Sequence, residues 1–157
     1  DNMDFSSLSF PEVNVPASIP GPTSFSTTSL AANTRFYWRV RAVNGGNEMG
    51  NWSAVRYFRT VLTTPTLVSP SNGYALVDNW WPVFQWTDTT GAGGYNIQIS
   101  FYSNFSSLLA NANTVGSVYE PMFGICGSTV YWHVRTTGTN GPSAWSPTFI
   151  WYSPACP

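Results

Sequence analysis

The sequence contains one histidine, His133, whose side chain could act as a general base near neutral pH. A general base needs a nucleophile and an orienting group within hydrogen-bond reach, and a zinc site needs three or four ligands. Alternation along the chain predicts that His133 lies on the outer surface of a β-strand, beside Tyr131 and Arg135. The seven carboxylates are scattered and form neither a paired-acid nor a calcium-loop pattern. The sequence therefore predicts no catalytic residue, metal site or cofactor.

The eight tryptophans indicate a possible carbohydrate-binding surface, because flat aromatic faces stack on sugar rings. Trp80 and Trp81 lie in a turn before a strand, so at least one of the two rings should be exposed. A contact with another repeat or subunit is the favoured interpretation of this pair, and sugar binding is the alternative. Trp38, Trp86 and Trp132 are predicted to lie in a core.

Two N-glycosylation triplets begin at Asn51 and Asn104. Asn, Ser and Thr are so abundant that such triplets are expected by chance, so they indicate glycosylation only weakly. The two cysteines, Cys126 and Cys156, are an even number, which is compatible with a disulfide or with two free thiols. Their number alone leaves the cellular compartment open.

The composition excludes several classes of partner. Hydrophobic residues make up 43% of the chain and charged residues only 8%, with a net charge of −1. Such a chain can fill a core but has no basic surface for nucleic acid. No apolar stretch approaches the roughly 20 residues that cross a bilayer, so we expect no membrane span. A nearly uncharged surface favours self-association or a glycan coat, and we favour association.

A strand pattern occurs twice. In Arg35–Val43, one face carries Phe36, Trp38, Val40 and Ala42, which should be buried. The other face carries Tyr37, Arg39, Arg41 and Val43. About 94 residues later, Ser128–Gly138 (STVYWHVRTTG) matches Thr34–Asn44 (TRFYWRVRAVN), and each copy precedes a Gly-rich loop and a Trp-Ser pair. A period of this length fits a β-sandwich of roughly 100 residues per repeat.

These motifs resemble the fibronectin type III family, and in particular bacterial extracellular repeats with a Tyr-Trp-Arg-Val-Arg sixth strand and a Trp-Ser loop. The resemblance implies an all-β fold, an immunoglobulin-like (fibronectin type III) β-sandwich. A tyrosine with a bonded hydroxyl often stands near the start of strand F in this fold. Phe36 and Val130 occupy that place here, so packing alone should hold the corner.

The strands implied for the second copy are A (Pro65–Gly73), B (Pro82–Trp86), C (Gly94–Ser100), C′ (Phe101–Leu109), F (Ser128–Arg135) and G (Ser146–Tyr152). Its predicted core residues are Phe84, Trp86, Tyr95, Ile97, Ile99, Trp132 and Val134.

In this fold the loop between strands E and F lies at the same pole as the end of strand G. The resemblance therefore implies a disulfide between Cys126 and Cys156, and with it an oxidising, extracellular setting. The same fold suggests that Trp52 and Trp145 pack on neighbouring arginine side chains, such as Arg39 or Arg41.

The first copy is shorter than the second. Met3–Leu8 (MDFSSL) aligns with Ser103–Leu108 (SNFSSL), so the first copy keeps strands C′, E, F and G and lacks A, B and C. We therefore expect a partial repeat in residues 1–61, a short, stiff linker at 62–65 and a complete repeat in 66–157. Without strands A to C, the inner face of strand F needs another cover. The predicted contacts with another subunit or repeat are Phe36, Trp38, Val40, Ala42, Trp80 and Trp81.

These features favour a non-catalytic structural or adhesive segment of an extracellular surface protein or filament, which associates with copies of itself or with neighbouring repeats. The alternative is a spacer or carbohydrate-binding module of a secreted polysaccharide-degrading enzyme. A catalytic domain in the same full-length protein would favour the alternative.

Overall fold

The computed structural model describes residues 3–75 and 80–156, and all helical or strand structure in these ranges is β-strand. The chain divides into two compact units, Asp1–Thr60 and Val61–Pro157, called here the first and second unit. The described residues include no helix long and apolar enough to cross a membrane. The strands are β1 (Arg35–Trp38), β2 (Arg56–Arg59), β3 (Leu67–Ser69), β4 (Tyr74–Ala75), β5 (Phe84–Trp86), β6 (Gly94–Ser100), β7 (Ala110–Thr114), β8 (Val118–Tyr119), β9 (Thr129–Thr137) and β10 (Phe149–Tyr152).

The second unit is an immunoglobulin-like β-sandwich of the fibronectin type III kind, as predicted. One sheet has the strand order β4-β10-β9-β6-β7, and the other has the order β3-β5-β8. The sheets pack face to face through aromatic side chains. The Phe84 ring of β5 lies 5.1 Å from the ring of Trp132 on β9 and 6.3 Å from that of Trp151 on β10, centroid to centroid.

The core lies between these sheets, and the alternation of side chains determines its membership. β6 and β9 pair antiparallel, with Ile97 opposite Val134 and Ile99 opposite Trp132. Directly opposed residues share a face, so both pairs point towards β5. The structure confirms burial of every predicted core residue: Phe84, Trp86, Tyr95, Ile97, Ile99, Trp132 and Val134. The core also includes Leu67, Ile125, Val130 and Trp151.

Strand C′ is displaced from its predicted position. It is β7, Ala110–Thr114, and the predicted segment Phe101–Leu109 is instead the connection that leads to it. The Ser100 hydroxyl turns the chain there, because it accepts from the Tyr102 N–H at 2.9 Å and donates to the Ser107 carbonyl at 2.7 Å. Strand C, by contrast, has the predicted bounds, and strand A begins within its predicted range and ends at Ser69 before Pro70.

The first unit contains one antiparallel hairpin, in which β1 pairs with β2 and Phe36 lies opposite Phe58. Residues 3–34 contain no strand, so the C′ and E strands predicted for the first copy are wrong. This segment is rich in Pro, Ser and Thr, which form poor strands and favour turns. Whether residues 1–61 form a partial repeat, as the sequence predicts, stays a prediction.

Candidate functional site

A stack of four side chains covers the outer face of β9 in the second unit. The His133 ring lies between two aromatic rings, with its centroid 3.8 Å from that of Phe105 and 4.0 Å from that of Trp145. The Arg135 guanidinium carbon lies 4.4 Å from the Trp145 ring centroid. We call Phe105, His133, Trp145 and Arg135 the outer stack, which joins a strand to the segments before β7 and β10.

His133 lies on the outer face of β9, as predicted. It is only 8% exposed, however, so the prediction that its side chain is exposed to solvent is wrong. Phe105 and Trp145 cover its ring. Burial lowers the pKa of His133 to about 4, and the charge of Arg135 acts in the same direction. The imidazole is therefore neutral at pH 7. Its Nε2 donates to Gln98 Oε1 at 3.0 Å, because an amide oxygen can only accept.

A matching stack occupies the outer face of the first unit, with Arg39 in the place of His133. The Arg39 guanidinium carbon lies 4.3 Å from the ring centroids of both Phe5 and Trp52. The Arg41 guanidinium carbon lies 4.1 Å from the Trp52 ring, and its Nη2 lies 3.1 Å from Glu12 Oε2. The predicted packing of Trp52 on these arginines is confirmed.

The turn that presents the first ring of each stack is the same in both units. Phe5 has a φ of 59° and Phe105 a φ of 53°, both in the left-handed region that non-glycine residues rarely adopt. Before each Phe, a side-chain oxygen accepts a backbone N–H two residues on: Asp4 from Ser6 at 2.8 Å, and Asn104 from Ser106 at 3.1 Å. Met3–Leu8 and Ser103–Leu108 therefore match in geometry as well as in sequence.

The serine of each Trp-Ser pair closes strand F in the same way. In the first unit, Ser53 Oγ accepts from the Val40 N–H at 3.1 Å and the Ser53 N–H donates to the Val40 carbonyl at 2.8 Å. Ser146 makes the same two bonds to Val134, at 3.1 and 2.8 Å. A similar pair of bonds holds the start of the strand in both units. Thr60 Oγ1 accepts the Thr34 N–H, and Ser153 Oγ accepts the Ser128 N–H. The N–H groups of Thr60 and Ser153 donate in return to the carbonyls of Thr34 and Ser128.

The inner face of the strand distinguishes the two units. Trp132 and Val134 are fully buried, whereas the residues at the same positions of the first unit, Trp38 and Val40, are 41% and 57% exposed. Ala42 is also exposed, and Phe36 is buried. The prediction that this face is buried is therefore correct for Phe36 and wrong, within the first unit, for the other three residues.

The exposed inner face forms part of a broad groove of about 1630 Å³ in the first unit. Apolar side chains from the irregular segment, such as Phe10, Val13 and Phe25, line the same groove and are themselves exposed. Charged side chains, among them Glu12, Arg39 and Arg41, line it as well.

The predicted disulfide is present, with Cys126 and Cys156 joined at one pole of the second unit. Trp80 lies at the same pole, where its Nε1–H donates to the Ala155 carbonyl at 3.1 Å. Trp80 is 37% exposed and Trp81 55%, so the expected exposure of this pair is confirmed. Their predicted contact with another subunit stays a prediction.

The two candidate glycosylation residues, Asn51 and Asn104, are both exposed. Asn104 already accepts the Ser106 N–H in the turn that presents Phe105. Among the described residues, no three histidine, cysteine or carboxylate side chains are grouped so as to hold a metal ion.

Sequence reasoning missed Phe105 and Gln98, which with Trp145 enclose the histidine. A signal for Phe105 was present, because the SNFSSL and MDFSSL segments keep a Phe at the same place. Gln98 could not be found in this way, since its contact to His133 depends on the register between β6 and β9.

The chain matches no protein-family model and no curated protein. It is similar to several solved structures. One is an Fn3-like protein from Clostridium thermocellum, at 20% identity, covering 61% of this chain and 97% of that one, with a TM-score of 0.47. Another is FN3tt, at 18% identity, covering 60% and 99%, with a TM-score of 0.45.

A third similar structure is the extracellular region of rat CD45, domains d3-d4. It is 12% identical, and the match covers 92% of this chain and 77% of that one, with a TM-score of 0.48. The fold of the second unit is established by its own strand order, in which β3-β5-β8 face β4-β10-β9-β6-β7.

Proposed function

We propose that this chain is a non-catalytic structural or adhesive segment of an extracellular surface protein or filament. In this proposal the two units are tandem fibronectin type III-like repeats of the kind found in bacterial surface proteins. The first repeat associates with further copies or neighbouring repeats through Phe36, Trp38, Val40 and Ala42. The main supporting observation is that Trp38 and Val40 are exposed while their counterparts in the second unit are fully buried.

The uncovered face favours association for an energetic reason. Burying a large apolar side chain contributes roughly 1.5 to 3 kcal/mol. On this face Trp38 is 41% exposed, Val40 57% and Phe58 42%, so part of that free energy is not gained within the unit. The net charge of −1 supplies little repulsion between copies. An apolar face on a nearly neutral chain therefore tends to associate.

The chemistry of His133 supports a non-catalytic role. Its ring is neutral, stacks between Phe105 and Trp145 and is hydrogen-bonded to Gln98. These contacts are those of a packed side chain, and they leave the ring covered. The extracellular location is supported by the Cys126–Cys156 disulfide, because such bonds persist mainly in oxidising compartments.

Sedimentation velocity and electron microscopy of the 157-residue chain test this proposal. We expect concentration-dependent assemblies for the unmodified chain and a monomer for Val40→Asp, since a carboxylate on the inner face opposes its burial. Val55→Asp is the matched control, because Val55 is also exposed but does not line the groove. A monomeric unmodified chain at all concentrations, or a Val40→Asp variant that assembles normally, would contradict the proposal.

A further inference from the structure

We infer that the outer face of the first unit's hairpin binds an acidic polysaccharide, whose carboxylate or sulfate groups pair with guanidinium groups of the protein. This face carries Arg35, Tyr37, Arg39, Tyr57 and Arg59, and we call it the basic face. The inference goes beyond the proposed function, because it concerns the side of the hairpin opposite to the inner face. It holds whether or not the inner face associates.

The positive charge of the chain is concentrated in the first unit. The chain contains six basic residues, all of them arginines, and five lie between positions 35 and 59. The described part of the first unit, residues 3–60, holds three carboxylates, those of Asp4, Glu12 and Glu48. The sixth arginine, Arg135, lies in the second unit. The net charge of −1 therefore conceals a local excess of positive charge.

Strand pairing brings two of these arginines side by side. Arg35 lies directly opposite Arg59 in the β1–β2 hairpin, and both are exposed. Directly opposed residues have Cβ atoms about 5 Å apart, and like charges in that position destabilise a sheet. Among the described residues the one ion pair joins Arg41 to Glu12, so it leaves the opposed pair without a carboxylate. An anion bound between the two guanidinium groups would remove their repulsion.

Two tyrosines lie beside the opposed arginines on the same face. Tyr37 and Tyr57 occupy directly opposite positions, with ring centroids 6.0 Å apart. The Arg35 guanidinium carbon lies 5.1 Å from the Tyr57 ring centroid, a contact that holds the arginine side chain over the sheet. Tyr57 is 64% exposed, and a phenolic hydroxyl both donates and accepts hydrogen bonds. The face thus offers hydrogen-bonding groups for sugar hydroxyls next to cations for acidic groups.

Arg39 extends the basic face further along the chain. It follows Arg35 by four residues, which is roughly 13 Å in an extended strand. Its guanidinium carbon lies 4.3 Å from the ring centroids of both Phe5 and Trp52, and these rings fix its position. Cations held at this separation match anionic groups repeated along a polymer better than one small anion.

The aromatic rings favour a polysaccharide over a single-stranded nucleic acid. Proteins that bind single strands use ring faces on which bases can stack. Here Arg35 lies over Tyr57, and Arg39 and Arg41 lie over Trp52, so guanidinium groups already occupy ring faces. The disulfide of the second unit, which persists mainly in oxidising compartments, also favours an extracellular ligand.

The test is binding of the 157-residue chain to polygalacturonate and to dextran sulfate, measured by isothermal titration calorimetry, with uncharged dextran as the control polymer. We expect binding to at least one acidic polymer, weaker as salt is added, and none to dextran. Arg35→Gln and Arg59→Gln should each reduce the affinity at least about fivefold, because each removes charge-assisted hydrogen bonds.

Arg56→Gln is the matched control. Arg56 is an exposed arginine of the same hairpin, but it lies opposite Trp38 on the inner face. The substitution removes the same charge and should change the affinity by less than about twofold. Failure to bind either acidic polymer, equal binding to dextran, or equal losses in Arg56→Gln and Arg59→Gln would overturn the inference.

A nucleic acid is tested in the same experiment with an oligothymidylate. We expect it to bind more weakly than the better of the two acidic polysaccharides. If it binds more tightly than both, and Arg35 and Arg59 are required, the ligand of the basic face is a nucleic acid and the inference is wrong.

Discussion

At the scale of single residues, the centre of strand F's outer face is held between two aromatic rings in both units. The residue is an imidazole in the second unit and a guanidinium in the first, at 3.8 to 4.3 Å from the ring centroids. Planar groups of either kind stack well on aromatic faces. The position therefore requires a flat side chain more than a particular charge.

His133→Ala should destabilise the second unit by about 2 kcal/mol, because it removes a buried ring and its two stacking partners lose contact. The sequence alone predicts a nearly neutral effect. Trp132→Ala should cost about 3 to 5 kcal/mol as a full core deletion. Urea unfolding measures both, with the exposed Tyr152→Ala as control. A loss below about 0.5 kcal/mol for His133→Ala would mean that the stack contributes little.

The lowered pKa of His133, about 4, predicts a pH dependence of stability. Between pH 6.5 and 4, His133 takes up a proton in the unfolded chain but not in the folded one. The free energy of unfolding should therefore decrease as the pH falls through this window and level off below it. His133→Phe, which keeps the stack but cannot titrate, should lose this component. Parallel pH profiles for the two proteins, measured by urea unfolding, would contradict the assignment.

At the scale of strands, hydroxyl side chains and one disulfide close the ends of the hairpins. Ser146 Oγ accepts the Val134 N–H where the direct β9 to β10 ladder has ended, and Ser153 accepts the Ser128 N–H at the other end. The disulfide then ties the end of the segment after β10 to the loop before β9. The ends of the second unit's hairpin thus depend on side chains rather than on longer strands.

Replacing Cys126 and Cys156 together by Ala should lower the free energy of unfolding of the second unit by roughly 3 to 4 kcal/mol, because the bond closes a loop of 30 residues. Urea unfolding of the oxidised chain and the double variant measures the difference. The hydrogen exchange of β1 and β2 serves as the internal control, since the bond lies in the other unit. Equal stability of the oxidised chain and the double variant, or two titratable thiols in the native oxidised protein, would contradict this prediction.

At the scale of the whole molecule, the units differ in what they bury. The second has two sheets that enclose a core, and the first has one hairpin with Phe36 buried and Trp38 exposed. A single two-stranded hairpin is marginal by itself in water. The loss of assembly expected for Val40→Asp measures whether another molecule covers the inner face of the first unit.

Much of the second unit followed from the sequence alone. The resemblance to fibronectin type III repeats placed β6, and alternation around Trp132 placed β9. Alternation within both strands then identified the core residues, because a one-residue slip would reverse every buried face. The Phe and Trp that stack on strand F recur in both copies. The position of β7 did not follow, because the hydroxyl of Ser100 turns the chain through bonds that no periodicity records.

The tertiary structure alone decided which polar and aromatic side chains are covered. Alternation assigns a side chain to one face of a strand, but whether that face meets water depends on segments distant in the chain. His133 is buried because Phe105 and Trp145 reach it from two other segments. Trp38 is exposed because none of the strands described in its unit covers it. Burial is a property of the assembled faces, which the local pattern of residues does not contain.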